Sequence, residues 1–250
     1  MKLFALCFLL SIYSANSAVF QEKPPAAHYS INLISDFKGS LPIDKLQDVD
    51  RVDIVKSHIS FGDGIKESFP QLKELIIKES HLENVPDGLL SAFPNLKKLK
   101  LEDNNIENFK LEDLNAIESL EILDLNKQKL KTLKKDSLSK LKSLKHLVLD
   151  SAEITDIDNG AFEGLQNLEK LNLNKNKLKT ISKESLAPLK KLKILELRYN
   201  KLEKFGIDNV PELPELENIY LEMNPISEVD VEGLRKVAPK LTGIQIGVID

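Results

Sequence analysis

Cysteine is nearly missing from this chain. The single one, Cys7, falls inside "MKLFALCFLLSIYSANS", residues 1–17, where Lys2 precedes an apolar run from Leu3 to Tyr13 and small residues gather near Ala15 and Ser17. That order of a basic start, an apolar middle and a small-residue end predicts a secretory signal peptide. Its removal would leave a mature chain with no cysteine, which excludes both disulfides and a cysteine nucleophile. The apolar run is well short of the ~20 residues that a spanning helix needs. No later stretch is long and apolar enough to span, and no lipid-anchor tail is expected, so the predicted location is extracellular, with no membrane anchor. From residue 18 onward there is also no N-x-S/T sequon, so no N-linked glycan is expected to mask the surface.

Catalytic and metal-binding groupings are equally scarce. The serines are scattered, and the one suggestive cluster, His146 near Asp124 and Asp150, reads as surface. His58 and His81 occupy matching places 23 residues apart and could share a metal or charge together below pH ~6.5. No third ligand of suitable type accompanies them, so solvation is the simpler reading. Neither a catalytic residue, a metal nor a cofactor is expected, and the chain is read as a non-enzyme.

What the sequence does contain is a repeat. A template of the form L-x-x-L-x-L begins at Val49, Leu72, Leu96, Leu120, Leu144, Leu168, Leu192 and Leu216, spaced by 23 residues once and by 24 thereafter, with a shortened copy from Leu241 after a step of 25. Within "LEKLNLNKNKLKTI", residues 168–181, Leu171 and Leu173 are two apart, which places them on one side of an extended chain and nearly opposite each other on a helix. Each copy therefore predicts a strand. One copy has too little apolar surface for a core of its own, so its leucines must be covered by the next copy. In the sixth, Leu168, Leu171, Leu173 and Leu178 should point inward, with Ile181, Leu186 and Leu189 closing the same layer.

The copies "LKKLKLEDNNI", "LEKLNLNKNKL", "LKILELRYNKL" and "LENIYLEMNPI" resemble leucine-rich repeats, in the pattern LxxLxLxxNxL, and the second halves "VPDGLLSAFPN" (85–95) and "IDNGAFEGLQN" (157–167) resemble the variable portion of extracellular animal members. The resemblance covers roughly four fifths of the chain. It implies an α/β fold, a curved leucine-rich repeat solenoid with a parallel β-sheet on its concave face and short helices or irregular segments on its convex face. The organisation that follows is a signal peptide at 1–17, a flexible segment and non-disulfide cap at 18–45, eight full repeats over 46–240 and a partial repeat at 241–250. Members of this family often cap both ends with disulfide-bonded modules, and that part of the pattern is missing. At the N-terminus, "HYSINLISDF" (28–37) can supply an added strand with Ile31 and Leu33 toward the core, after a mobile "QEKPPAAH". At the C-terminus, "IQIGVID" either folds over the last layer or presents an edge open to weak self-association.

The asparagine of the pattern, at Asn104, Asn176, Asn200 and Asn224, should turn inward to bond backbone groups that a tight turn leaves unpaired. Ser57, Ser80, Gln128 and Ala152 stand in that place in other copies. Alanine cannot substitute, which predicts a looser turn or a buried water near Ala152.

Strand positions between the buried leucines should face the concave surface, the usual ligand surface of this architecture. The central column runs Asp53, Ile76, Lys100, Asp124, Val148, Asn172, Glu196, Tyr220 and Gln245, without a run of one charge or a repeating metal-ligand type. Toward its end, Ile194, Tyr199, Tyr220 and Met223 are expected to project from adjacent strands beside Arg198 and Glu222. Aromatic residues flanked by arginine favour protein interfaces, so these six are the candidate partner-binding residues.

Charge is unevenly spread. Without Lys2 the formal net charge of −4 becomes −4 − 1 = −5. Residues 127–145 hold eight lysines and one acid, Asp136, whereas 203–250 hold ten acids and four bases. A solvated convex surface accounts for this; a basic band for acidic, heparin-like glycans is the alternative. Nucleic acid is not expected, because no aromatic residues interleave with those lysines to stack bases. The predicted function is a secreted protein-binding module. The family resemblance suggests an innate-immune recognition factor or a soluble decoy of a Toll-like receptor, since similar repeats form Toll-receptor ectodomains and insect immune and adhesion proteins. The alternatives are an extracellular-matrix, adhesion or glycan-binding role for the lysine band, and an enzyme hidden on the scaffold.

Overall fold

The computed structural model describes residues 18–22, 29–34, 49–56, 69–80, 85, 90–104, 106 and 109–247. The expected leader at 1–17, the histidine pair His58 and His81, and Ser57 lie outside the described residues. The chain divides into two compact units, Met1–Leu120 and Glu121–Asp250.

In the first unit, β1 (Ala18–Glu22) pairs antiparallel with β2 (Tyr29–Ile34), which pairs in parallel with β3 (Val49–Val55). From there β4 (Glu74–Lys78) and β5 (Lys98–Glu102) continue in parallel, with Val52, Leu75 and Leu99 in register. The strand expected within 28–37 is β2. The strand β1 was not anticipated, and it takes in Gln21 and Glu22, which the sequence reading placed in a mobile segment. The side chains of Ile31 and Leu33 lie outside what is described.

In the second unit the repeat strands are shorter. They are β6 (Ile122–Asp124), β8 (His146–Val148), β10 (Lys170–Asn172), β11 (Ile194–Glu196), β13 (Asn218–Tyr220) and β15 (Gly243–Gln245), all parallel and stacked in that order. On the return path, β7 (Thr132–Leu133) pairs with β9 (Asp156–Ile157), and β12 (Lys204–Phe205) with β14 (Glu228–Val229). Two short helices also lie there. Ser182 caps Lys183–Leu186 by accepting from Ser185 N, and Asp230 caps Val231–Val237 by accepting from Gly233 N at 2.8 Å.

The alternation of the template explains the burial. Leu147, Leu171, Leu195 and Ile219 form one fully buried column, and Leu149, Leu173 and Leu197 form a second. A third, Leu141, Leu165, Leu189 and Leu213, comes from the return path and closes each layer. The turn into each strand also repeats: the amide of Leu168 donates to Leu165 O at 3.0 Å, that of Leu192 to Leu189 O at 3.0 Å and that of Leu216 to Leu213 O at 3.1 Å. Such i to i−3 bonds pair backbone groups that the compact return would otherwise strand without partners.

Ion pairs on the flank leading into the strands follow the same period. Lys145 reaches Glu121 and Lys193 reaches Glu169, each at 2.7 Å and 24 residues apart. The hydrogen bond to Lys193 holds the Glu169 carboxyl below its ordinary range, and the same bond raises the Lys193 amine.

The asparagines tie neighbouring rungs together. The Nδ2 of Asn200 donates to Leu197 O (3.0 Å) in its own turn and to Leu173 O (2.9 Å) in the preceding one, and its Oδ1 accepts from Leu178 N (3.1 Å). Asn224 repeats this on Leu221 O, Leu197 O and Leu202 N, and Asn104 also spans two turns, donating to Glu102 O and Ile77 O and accepting from Ser80 N. Such a side chain serves two turns at once.

That geometry corrects the expectation at Ala152. The turn there is closed by Asn176 of the following rung, whose Oδ1 accepts from both Ala152 N (3.1 Å) and Ile154 N (2.9 Å) while its Nδ2 donates to Leu149 O (2.8 Å). Ala152 is fully buried. An asparagine missing from one copy is compensated by its neighbour, so neither a loose turn nor a bridging water is required.

Candidate functional site

On the open face of the sheet in the second unit, three strand positions per rung carry the side chains available to a ligand. The central column is confirmed by register: Asp124, Val148, Asn172, Glu196, Tyr220 and Gln245 lie side by side.

Near the end of this column, Arg198 is fixed from several directions. Its guanidinium carbon lies 4.0 Å from the centre of the Tyr220 ring. Its Nε donates to Glu222 Oε2 at 2.9 Å, and its outer nitrogens approach Gln245 Oε1 at 3.5 Å and Glu196 Oε2 at 3.7 Å. The backbone is held as well, since Arg198 N donates to Asn174 Oδ1 at 2.8 Å. Asn174 Nδ2 donates in turn to Glu196 Oε2 at 2.7 Å, and Lys170 pairs with the other oxygen of that carboxylate. Glu196 and Asn174 are both buried, so the network is a packed floor whose members hold one another.

The candidate residues divide over this floor. The structure brings Arg198, Tyr220 and Glu222 together. Ile194 is half-buried at the opposite end of β11, four residues before Arg198, or about 13 Å along an extended chain. Tyr199 and Met223 do not project from strands, as the sequence reading had it. They lie in the turns after β11 and β13 with left-handed backbone, φ 55° and 60°.

The cause is architectural. Lys56, Glu79, Asp103, Lys127, Ser151 and Lys175 occupy the same place in earlier repeats, all with φ between 47° and 60°. This backbone turns the amide toward the next rung: Lys175 N donates to Arg198 O at 2.8 Å and Tyr199 N to Glu222 O at 3.0 Å. The side chain is thrown outward. Tyr199 is 50% exposed and Met223 49%; among the described residues the other large apolar side chain so exposed is Ile246, at 42%. Two neighbouring rungs thus present an aromatic ring and a thioether beside an arginine stacked on a second ring.

Sequence reasoning places Glu196 in the central column but does not link it, Asn174 and Lys170 to Arg198, because those roles depend on contacts between rungs. Writing the copies in register and reading the three open-face columns together would have shown them.

The lysine-rich stretch does not make one face. Lys127, Lys129 and Lys131 lie at the turn after β6, Lys134 to Lys142 on the return path, and Lys145 at the entry to β8, so the band runs around most of one rung. At the His146 grouping, Asp150 accepts from Ser151 Oγ at 2.7 Å and faces Lys175 at 3.6 Å. Asp150 is thereby engaged by groups other than His146.

Two segments, residues 70–126 and 142–202, match the leucine-rich repeat family model. The fold is a leucine-rich repeat solenoid. Among solved structures, TLR13 in the TLR13–ssRNA13 complex is similar at 24% identity and a TM-score of 0.70, over 81% of this chain and 30% of that one. A chain of the octameric complex of Latrophilin 3, Unc5D and FLRT2, to which FLRT2 contributes its leucine-rich repeats, is similar at 24% identity and a TM-score of 0.69, over 82% of this chain and 61% of that one. The chain thus spans less than two thirds of the length of either. No curated protein matches the sequence.

Proposed function

We propose that this leucine-rich repeat chain is a non-enzymatic binding module that captures a partner protein on the open face and adjoining turn of its last repeats. The observation that carries the reading is the Tyr199 and Met223 side chains, half-exposed in the turns of adjacent rungs and each directly following in sequence a member of the Arg198–Glu222 pair on which Tyr220 stacks. Burying an aromatic ring and a methionine against a partner covers much apolar area at low entropic cost, and an arginine already held in place loses little freedom on binding. The floor is close to neutral, with Arg198 and Lys170 set against Glu222 and Glu196, which favours a partner with an apolar protrusion over a polyanion.

A protein suits this surface better than a nucleic acid, because cations on the open face are engaged by carboxylates where a phosphate backbone would need to displace them one after another. In keeping with the leader-like residues 1–17, we place the protein outside the cell. Recognition in innate immunity, or competition with a Toll-like receptor for its ligand, is the setting the family resemblance suggests. The test is cross-linking capture from extracellular fluid with the wild-type chain and a Tyr199→Ala/Tyr220→Ala variant. The variant should lose the captured protein while keeping its melting transition, and undiminished capture would overturn the assignment. N-terminal sequencing of secreted protein checks the leader, with a new terminus near residue 18 expected.

A further inference from the structure

The first unit has a different surface feature, independent of the site in the second. Written in register, three rungs form a grid on the open face of β3, β4 and β5: Arg51, Asp53 and Val55; Glu74, Ile76 and Lys78; Lys98, Lys100 and Glu102. At its centre stands an aliphatic side chain, Ile76, 5% exposed, surrounded by long charged ones. A short side chain ringed by long ones makes a cup. The depression has a volume of about 360 Å³, with Val55 and Ile76 on its floor and Arg51, Lys78, Lys98 and Lys100 on its walls. That is within the range of small-ligand sites, which combine an apolar body with a few placed polar groups.

The charge of the cup is determined by which groups line it. Asp53 is the one carboxylate among the lining residues, and Arg51 holds it through Nε at 2.7 Å and a second nitrogen at 3.2 Å. Glu74 and Glu102 lie outside the lining. Glu74 draws on Arg51 and Lys98, each at 3.2 Å, and Glu102 on Lys78 at 2.9 Å. The lining thus holds four cations and one carboxylate, and Glu74 and Glu102 hold Arg51, Lys98 and Lys78 from outside it. The lysine side chains are partly exposed, 36% for Lys78 and 22% for Lys98, so they can transfer a hydrogen bond to an incoming anion without disturbing the core.

We propose that this cup binds a carboxylate carried on an apolar body, with the carboxylate between Lys98 and Lys100 and the apolar part over Ile76 and Val55. Either a free organic acid or an acidic side chain next to an aliphatic one on a partner protein supplies that chemistry. A charge-assisted hydrogen bond from lysine to carboxylate orients the ligand, and the apolar floor rewards a body that a bare inorganic anion lacks.

Octanoate, octanamide and acetate serve as probes, read by the methyl resonances of Ile76 and Val55 in the full chain. Octanoate should shift both methyls saturably, whereas octanamide and acetate at the same concentrations should not. Lys98→Gln/Lys100→Gln should weaken octanoate by about tenfold or more, the loss expected when a charged hydrogen-bond donor is removed. Ile76→Tyr keeps every cation but fills the floor, at a strand position where Tyr220 stands in another rung, and should abolish the shifts while leaving the melting transition in place. Equal responses to octanoate and octanamide, unsaturable shifts, or variants that bind like wild type would each overturn the proposal. A capped peptide with a glutamate between leucines distinguishes the sources. Tighter binding than octanoate assigns the cup to a partner's side chain, and weaker binding assigns it to a free acid.

Discussion

Replacing Asn176 by alanine should damage this protein far more than the same change at Asn200, although both stand at the same position of the repeat. The difference follows from what each neighbour can replace. When Asn200 is lost, Leu173 O still accepts from Asn176 Nδ2 (3.0 Å) and Leu197 O still accepts from Asn224 Nδ2 (2.8 Å). The group left without its acceptor is Leu178 N. When Asn176 is lost, Ala152 cannot help, and Ala152 N, Ile154 N and Leu149 O all lose their partner together. A buried backbone group stripped of its partner costs about 1–3 kcal/mol. Asn200→Ala should therefore cost about 1–2 kcal/mol and Asn176→Ala about 3–5 kcal/mol. With a urea slope of about 2 kcal/mol/M, the midpoint should fall by roughly 0.5–1 M in the first case and 1.5–2.5 M in the second. Urea unfolding of both variants measures this, and hydrogen exchange locates it, with Ala152 and Ile154 amides losing protection in the Asn176 variant. Equal midpoint shifts for the two would refute the idea that Asn176 supports the alanine turn.

Two further substitutions test the backbone geometry. Gly164→Ala should be severely destabilising, because φ is +87° and an added Cβ would overlap the backbone of Ser139, whereas Gly160→Ala, at φ +81° but facing the flexible Lys135 side chain at 3.3 Å, should cost only about 1 kcal/mol in thermal unfolding. Met223→Gly should raise stability by about 0.5–1 kcal/mol, since glycine relieves the left-handed backbone and a half-exposed side chain gives up little burial, while partner capture weakens; a loss of stability would count against the strain argument.

The period of 24 residues made the strands, the buried columns and the inward direction of the leucines legible, because an i, i+2 step of leucines fits only an extended chain. Three things were not legible. The role of Asn176 at Ala152 requires knowing that one side chain spans two rungs, which a single copy of the motif does not show. Spacing puts Tyr199 and Met223 on the ligand side but does not give their dihedral angles, so it extends the strands to include them when they belong to turns. The cup around Ile76 is not visible in the central column alone, where Ile76 is one apolar residue among varied neighbours. It becomes a floor only when the flanking columns place Arg51, Lys78 and Lys98 around it.

The left-handed position bears most directly on function. Its backbone conformation recurs from Lys56 to Met223 and sends each amide to a carbonyl of the following rung where that bond is seen, so the architecture dictates the dihedral angle. It does not dictate the side chain. Lysine, glutamate, aspartate and serine occupy the position in the first six repeats, and each ends in a charged or hydroxyl group that water solvates. Tyrosine and methionine are poor choices there on physical grounds, since a bulky residue at positive φ is strained and a half-exposed apolar group gains only part of what full burial would give. Two such choices on consecutive rungs, beside an arginine anchored by Tyr220, Glu222 and Asn174, have no counterpart in what the fold requires. Burial against another molecule is the circumstance in which those side chains become favourable.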